Sequence, residues 1–276
     1  MRIAISSDNH LDVNRVAPAA ALDFQARWLR DHQVAVYLHA GDLFNDFTRT
    51  RAYFAKLADR LAGQVTVRYL AGNHDMLGGV SEAALETRLA PEYFHNAFLD
   101  LPGTAWRLVG LNGWYDYSLS PAAGDPAAVA AWKRVYWLDD QIPQAEDDPA
   151  RLQRGLAQLR AQLAAATAVD KRVIVATHFL PDRALVPPMP STNDPRRQRF
   201  WRMFCAMLGS QQVGDLLRVT PAVERVVYGH LHGQHPVRRL GGAHYYNPAV
   251  GVKRRHEWQA ATFNQQWEQR LLVWDL

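Results

Sequence analysis

The sequence predicts an α/β protein in which short buried strands alternate with amphipathic helices. Apolar runs at 2–6, 34–38 and 65–70 are separated by segments whose apolar residues recur at helical spacing. Polar clusters directly follow these runs, as functional loops follow the carboxyl ends of buried strands. Strands that alternate with helices indicate crossover connections and a largely parallel sheet.

The elements can be assigned in order along the chain. The runs at 2–6, 34–38 and 65–70 predict three strands, and the apolar faces within 19–31 and 53–61 predict the two helices between them. The later predicted elements are a short helix at 81–89, strands at 104–111, 172–176 and 223–228, a helix at 194–209, and closing antiparallel strands at 237–240, 244–246 and 271–274.

Residues 115–167 differ from the rest of the chain because they are rich in alanine and carry no strand pattern. One apolar stripe at helical spacing runs through the second half of this segment: Leu152, Leu156, Leu159 and Leu163. A helix packed on the body of the protein explains such a stripe better than a cofactor site does. No Ser/Gly-rich linker divides the chain. We therefore predict a single domain over residues 1–276 with a helical insertion at about 115–167.

The composition restricts the possible functions. With 48% hydrophobic and 21% charged residues, the chain is typical of a folded globular protein. The net charge of +4 favours an anionic substrate but falls short of a nucleic-acid-binding signature. The single cysteine, Cys205, excludes an intramolecular disulfide and a cysteine-based zinc site. No apolar run resembles a signal peptide or approaches the roughly 20 residues of a membrane span. We expect a cytoplasmic protein without a membrane partner.

Polar clusters that contain histidine, aspartate or asparagine follow five of the predicted strands. In chain order their members are Asp8 and His10; Asp42; Asn73, His74 and Asp75; His178; and His230 and His232. Sites in α/β sheets form beyond the carboxyl ends of the strands, so these loops are expected to converge on one crevice. Each cluster alone is a weak signal, and five in order are a strong one.

The chemistry of these side chains indicates a metal site. Imidazole and carboxylate groups with one neutral amide oxygen suit intermediate divalent ions such as Mn²⁺, Fe²⁺ or Zn²⁺. The clusters offer too many ligands for one ion. A bridging carboxylate would hold two ions about 3.5–4 Å apart, an arrangement used for displacement at phosphorus.

The ordered motifs resemble the five signatures of calcineurin-like metallophosphoesterases. They read Asp8-x-His10, Gly41-Asp42, Gly72-Asn73-His74-Asp75, Thr177-His178 and Gly229-His230-x-His232. The motifs span residues 8–232, and neither the helical insertion nor the C-terminal end is covered by one. The resemblance implies a four-layer αββα sandwich, in which two mixed β-sheets pack together and helices cover both outer faces.

The resemblance also implies a role for each motif residue. One ion would be bound by Asp8, His10 and His232, the other by Asn73, His178 and His230, and Asp42 would bridge them. His74 would stabilise the transition state and protonate the leaving alkoxide. Asp75 would orient the His74 ring, as carboxylates commonly orient imidazoles. Gly72 would permit the tight turn.

These observations predict a dinuclear metal-dependent phosphoesterase that acts on a small phosphorylated substrate. Two cations would lower the pKa of a bridging water, and the resulting hydroxide would attack the phosphorus of a mono- or diester in line. Mn²⁺ is the favoured cofactor, with Fe or Zn as alternatives. A nuclease of the same chemistry and a non-catalytic metal-binding scaffold remain as other hypotheses. The oligomeric state, the native metal pair and the physiological substrate stay open.

Two further features bear on substrate binding. Trp114 and Tyr115 follow a predicted strand and offer an aromatic wall for a substrate. Of two basic groups, the one at 196–202 follows a proline-rich segment and is preferred over 253–255 for gripping substrate phosphates.

Overall fold

The computed structural model describes residues 1–120 and 124–276, so residues 121–123 of the predicted insertion lie outside the described part. The first part of the chain forms alternating strands and helices. They are β1 (Arg2–Ser6), α1 (Pro18–Asp31), β2 (Val36–Ala40), α2 (Phe47–Leu61), β3 (Thr66–Leu70), α3 (Glu82–Leu85), β4 (Ala97–Asp100) and β5 (Trp106–Leu111).

A long connection and the rest of the second sheet follow. Their elements are α4 (Pro126–Tyr136), α5 (Asp148–Thr167), β6 (Arg172–Thr177), α6 (Pro195–Ala206), α7 (Gln211–Arg218), β7 (Val223–Tyr228), β8 (Arg238–Leu240), β9 (Ala243–Tyr246), α8 (Phe263–Arg270) and β10 (Leu272–Asp275). No helix within the described ranges is long and apolar enough to cross a membrane.

The strands form two mixed sheets. The first has the order β10-β1-β2-β3, with β1, β2 and β3 parallel and β10 antiparallel to β1. The second has the order β4-β5-β6-β7-β9-β8, in which β5, β6, β7 and β9 are parallel and the two edge strands run antiparallel to their neighbours. In both sheets, therefore, the central strands have their carboxyl ends at one edge.

The two sheets pack face to face. Ile3 and Leu38 of the first sheet share a buried cluster with Leu108 and Ile174 of the second. Because alternate side chains of a strand point to opposite faces, Tyr37 lies on the other face of its sheet, in the cluster that contains the helix residues. The layers are helix, sheet, sheet and helix, which confirms the predicted fold.

The structure also contains elements that the sequence pattern did not predict. Strand β4 was missed because it is a short edge strand whose Phe98 is 49% exposed, so it lacks a buried apolar run. Helices α7 and α8 were also missed, since each is only 8 residues long. Of the predicted closing strands, β9 pairs with β7 in parallel, whereas β8 and β10 are antiparallel.

The connection between β5 and β6 is mainly helical. It consists of α4, a 3-10 turn at Leu138–Gln141 and α5. The leucine stripe of α5 is buried against the second sheet, as a packed helix requires. The turn between the two helices lies at the carboxyl edge of the strands, beside the polar loops described next.

Candidate metal centre

The polar loops after β1, β2, β3, β6 and β7 meet at the shared carboxyl edge of the two sheets. Backbone hydrogen bonds join them across the strands: the amide of Asp8 donates to Gly41 O at 2.9 Å, and that of Gly229 donates to His178 O at 2.9 Å. The amide of His230, which follows β7 of the second sheet, donates to Asp8 Oδ1 of the first sheet at 3.1 Å, so the loops of the two sheets are joined at the centre.

Three of these side chains form a first cluster. Nε2 of His232 lies 3.2 Å from Asp8 Oδ1. Nε2 of His10 lies 3.0 Å from Nε2 of His232. The potential ligand atoms of Asp8, His10 and His232 all lie within 4.8 Å of one another, which is close enough for one ion to contact all three.

A second cluster forms around the amide of Asn73. Its Oδ1 lies 3.2 Å from His178 Nε2 and 3.0 Å from His230 Nδ1. His178 and His230 also form a potential ligand group with Asp42. One amide oxygen and two imidazole nitrogens thus converge on a common volume.

The carboxylate of Asp42 lies between the two clusters. Its Oδ2 is 3.6 Å from His10 Nε2 and 3.4 Å from His178 Nε2. The other oxygen, Oδ1, accepts the backbone amide of His74 at 2.9 Å and is fixed by it. A single oxygen atom therefore faces ligands from both clusters.

The centre concentrates negative charge in a buried volume. Asp8 and Asp42 are both almost fully buried, and within the described ranges no lysine or arginine forms an ion pair with either. Burial by itself raises the pKa of each carboxyl, but the surrounding imidazoles more than offset it and hold both pKa values below the ordinary range. The two carboxylates need nearby positive charge, which divalent cations supply.

The imidazoles are oriented by contacts on their far sides. Nδ1 of His178 lies 3.0 Å from Ala40 O, and Nδ1 of His232 lies 3.0 Å from Glu257 Oε2. Burial lowers the pKa of both rings, but Asp42 raises that of His178 to about 9, and Asp8 together with Glu257 raises that of His232 to about 10. A ring that donates from Nδ1 leaves Nε2 available to a metal, the usual arrangement for metal-binding histidines.

The donor set fits a pair of divalent cations. Each cluster offers two imidazole nitrogens and one oxygen ligand, and the acceptor atoms face one another at hydrogen-bond distances. In the chain alone, such facing lone pairs repel unless protons are shared between them. Cations of intermediate softness suit these nitrogen and oxygen donors.

Four of the candidate ligands have left-handed backbone conformations, which are uncommon for residues other than glycine. Their φ angles are 54° at Asp8, 43° at His10, 64° at Asp42 and 65° at His230. Such conformations cost on the order of 1–3 kcal/mol each and are typical of functional sites. Each of these residues lies in a loop that follows a strand, where the regular backbone conformation has ended.

The predicted contact between Asp75 and the ring of His74 is wrong. The Asp75 carboxylate instead accepts the backbone amides of Asp42 at 2.7 Å and Gly72 at 2.9 Å, and also bonds to Thr50. Nδ1 of His74 lies 2.7 Å from Oδ1 of Asn45. Asp75 therefore fixes the loop that carries Asp42, and burial next to the Asp42 charge raises the pKa of its carboxyl to about 7.

Gly72 is required for space rather than for a turn. A Cβ atom at this position would lie 2.1 Å from Asp42 Oδ1 and 2.6 Å from His178 Cε1, so any side chain would displace the Asp42 carboxylate. The prediction of a turn-forming role is corrected accordingly, since the backbone of Gly72 is not among those with positive φ.

A cavity of about 350 Å³ opens onto the clusters. Its walls include the apolar side chains of Tyr136, Trp137 and Leu138 and the guanidinium of Arg255. Trp114 and Tyr115, which the sequence suggested as an aromatic wall, are only 2% and 0% exposed and belong to the core. None of the basic residues at 196–202 lines this cavity, whereas Arg255 of the less favoured group does.

Three residues at the centre have no signal in the sequence motifs. Asn45 contacts His74, Glu257 contacts His232, and the buried carboxylate of Asp139 accepts Asn73 Nδ2 at 2.7 Å. The last contact fixes the amide of Asn73 so that its oxygen faces the histidines. Burial raises the pKa of Asp139, and the hydrogen bonds from Asn73 and Trp137 oppose that rise.

The sequence and the fold were compared with those of known proteins. The model of a family described as "Calcineurin-like phosphoesterase" matches residues 1–234, whereas no curated protein matches. The fold is similar to that of a dimetal phosphatase from Danio rerio, with 16% identity, 90% of this chain and 86% of that chain covered, and a TM-score of 0.53. It is also similar to GAP50, the anchor in the inner membrane complex of Plasmodium, with 10% identity, 91% and 71% covered, and a TM-score of 0.46.

Proposed function

The chain belongs to the calcineurin-like phosphoesterase family of metal-dependent phosphoric ester hydrolases, and we propose that its two side-chain clusters bind two divalent ions and hydrolyse a phosphate mono- or diester. The observation that carries this proposal is the position of Asp42. One oxygen of its carboxylate lies within 3.6 Å of His10 and 3.4 Å of His178, which belong to different clusters.

The proposed ligands divide between the ions as the clusters divide. Asp8, His10 and His232 would hold one ion. Asn73, His178 and His230 would hold the other, and Asp42 would contribute a ligand to both. The mix of imidazole, carboxylate and amide donors favours Mn²⁺, with Fe and Zn as the alternatives.

When bound, two divalent ions would supply Lewis-acid chemistry that makes water nucleophilic near neutral pH and offsets the charge of the phosphate oxygens. The chain itself supplies the proton for the leaving group. His74 lies at the edge of the cavity, with its ring centroid 4.7 Å from that of His10. Because Asn45 holds Nδ1, the opposite nitrogen of His74 is the one available to protonate the leaving alkoxide.

Arg255 supports an anionic substrate. It lines the cavity, and within the described ranges its side chain forms no ion pair or hydrogen bond. A free guanidinium beside two cations is suited to bind a phosphate oxygen that the ions do not reach.

No observation favours the nuclease hypothesis. The connection between β5 and β6 offers Lys133, Arg134, Arg151, Arg154 and Arg160 as basic residues. Arg134 and Arg160 are exposed, whereas the other three cations are engaged within the protein. Lys133 pairs with Asp148 at 2.7 Å, Arg151 lies over the ring of Trp114 at 3.6 Å, and Arg154 pairs with Glu82. The scaffold hypothesis is disfavoured because every predicted ligand is present.

The direct test is hydrolysis of 4-nitrophenyl phosphate and bis(4-nitrophenyl) phosphate by the purified protein with Mn²⁺, Fe²⁺ or Zn²⁺. We expect turnover with at least one ester, and we expect His74→Ala to lower it about 10²–10⁴-fold while metal content is retained. His244→Ala is the matched control, since His244 is an exposed histidine on β9. No turnover by the wild type with any of these metals and esters would reject the proposed function.

A further inference from the structure

One side of the cavity is an apolar wall that the proposed chemistry does not use. It is formed by residues at the end of α4, in α6 and in nearby loops: Tyr136, Trp137, Leu138, Phe204 and Leu208. The rest of the lining consists mainly of the candidate ligand loops together with Arg255 and Glu257. The cavity is thus lined by both an apolar group of side chains and a polar group.

Part of this apolar wall is open to solvent. Tyr136 is 65% exposed and Leu138 is 37% exposed, although both lie beside a buried polar centre. Exposed apolar groups at the mouth of a cavity commonly mark a ligand-binding surface. Covering them with an apolar ligand group would be favourable, because it removes apolar surface from water.

The wall has a fixed position relative to the ligands. The Asp139 carboxylate accepts Asn73 Nδ2 at 2.7 Å and also Trp137 Nε1 at 3.0 Å. Behind this contact, the rings of Trp137 and Phe204 pack edge to face with centroids 5.7 Å apart. A proposed metal ligand and the centre of the wall are therefore held by the same carboxylate, as a preorganised binding site requires.

On the basis of the proposed phosphoesterase function, we propose that the substrate is a phosphoester with a large apolar ester group, which packs on the Tyr136–Leu138 wall while its phosphate lies at the metal ions. Small polar phosphates, such as those of sugars or glycerol, would leave the wall uncovered. The apolar wall would thus favour substrates with an apolar ester group, and the candidate ligand loops would bind their phosphate.

Phosphonates test this inference without turnover, since their carbon–phosphorus bond is not hydrolysed. Binding of benzylphosphonate and methylphosphonate to the Mn²⁺-loaded protein can be compared by calorimetry. Both probes present the same anionic group, so the ratio of their Kd values reports the contribution of the apolar group. We expect benzylphosphonate to bind about tenfold tighter, the effect of partly burying one phenyl ring.

Variants of the wall provide the matched comparison. Tyr136→Ser and Leu138→Ser are expected to reduce the preference for benzylphosphonate to about threefold or less, with methylphosphonate binding unchanged. Val135→Ser is the control, because Val135 is 69% exposed on the same helix but does not line the cavity. It should keep the full preference.

The outcomes separate this inference from the function on which it rests. If the protein hydrolyses aryl phosphates but binds the two phosphonates equally, the apolar wall does not bind the substrate. The inference is then rejected, and the proposed function stands. If it hydrolyses no ester and binds neither phosphonate, both are rejected. A preference that survives in Tyr136→Ser and Leu138→Ser would also overturn the role of the wall.

Discussion

The candidate ligand loops and the connection between β5 and β6 line the same cavity but differ in chemical character. The loops are buried and polar, and four of their side chains depend on left-handed backbone conformations. The connection presents apolar side chains that are partly open to solvent. The contact between Asn73 and Asp139 joins the two. The loops fix the positions of the candidate ligand atoms, whereas the connection supplies an apolar surface of the cavity.

The largest effect is expected on the loop side. Asp42→Asn keeps the size of the side chain but removes the negative charge proposed to bridge the ions. We expect turnover to fall by about 10³-fold or more, because several kcal/mol of charge stabilisation depend on the paired ions. Metal analysis should show reduced occupancy. A variant with full metal content and unchanged turnover would contradict the bridging role.

A substitution in the connection between β5 and β6 is expected to change the stability of the fold instead of turnover. Its buried carboxylate Asp148 accepts hydrogen bonds from Lys133 at 2.7 Å, Trp114 at 2.8 Å and Tyr117 at 2.5 Å. Burial raises the pKa of Asp148, but Lys133 and the other donors outweigh it, so the pKa lies below its ordinary value. Asp148→Asn should lower the free energy of unfolding at pH 7 by about 3 kcal/mol, since it leaves a buried lysine unpaired.

The sign of the pH dependence follows from that depressed pKa. Ionised Asp148 stabilises the folded chain above the unfolded-state pKa of about 3.9, and this contribution is lost as the pH falls through the lower folded-state pKa. Urea unfolding at pH 7 and near pH 3 should therefore show a smaller difference between wild type and Asp148→Asn at the lower pH. An equal difference at both pH values would show that the charge of Asp148 does not act in this way.

A smaller effect is expected where the two regions meet. Asp139→Ala should weaken Mn²⁺ binding about 10–100-fold, because Asn73 loses the group that orients its amide. Asp139→Asn keeps an oxygen acceptor and should recover part of the affinity. Asp140→Asn is the matched control, since the neighbouring Asp140 is exposed. Calorimetric titration with Mn²⁺ measures these differences, and equal affinities in all three variants would disprove the coupling.

The same contrast explains what the sequence could predict. Each candidate ligand lies in a loop that follows a buried apolar strand, so Asp8, Asp42 and His178 could be placed at the carboxyl ends of strands from local pattern alone. Asp139 could not, because an Asp-Asp pair in a turn normally indicates a solvated surface. Its burial depends on packing between segments 66 residues apart in sequence.

Aromatic residues show the same limit of local pattern. Trp114 and Tyr115 occur after a strand, as a substrate wall would, but α4 and α5 cover them, and Trp114 donates to Asp148. Tyr136 lies in a helix whose pattern indicates no site, yet it borders the cavity. The packing of the helices decides which aromatic side chains line the cavity. The spacing of aromatic residues along the chain does not reveal this packing.

The central claim is that Asp42 joins two metal ions in one centre. Electron paramagnetic resonance of the Mn²⁺-loaded protein tests it directly, combined with metal analysis of the same sample. We predict two Mn²⁺ ions per chain and the spectrum of a magnetically coupled pair, which Asp42→Asn should abolish. One ion per chain with the spectrum of an isolated Mn²⁺, unchanged in Asp42→Asn, would contradict the account.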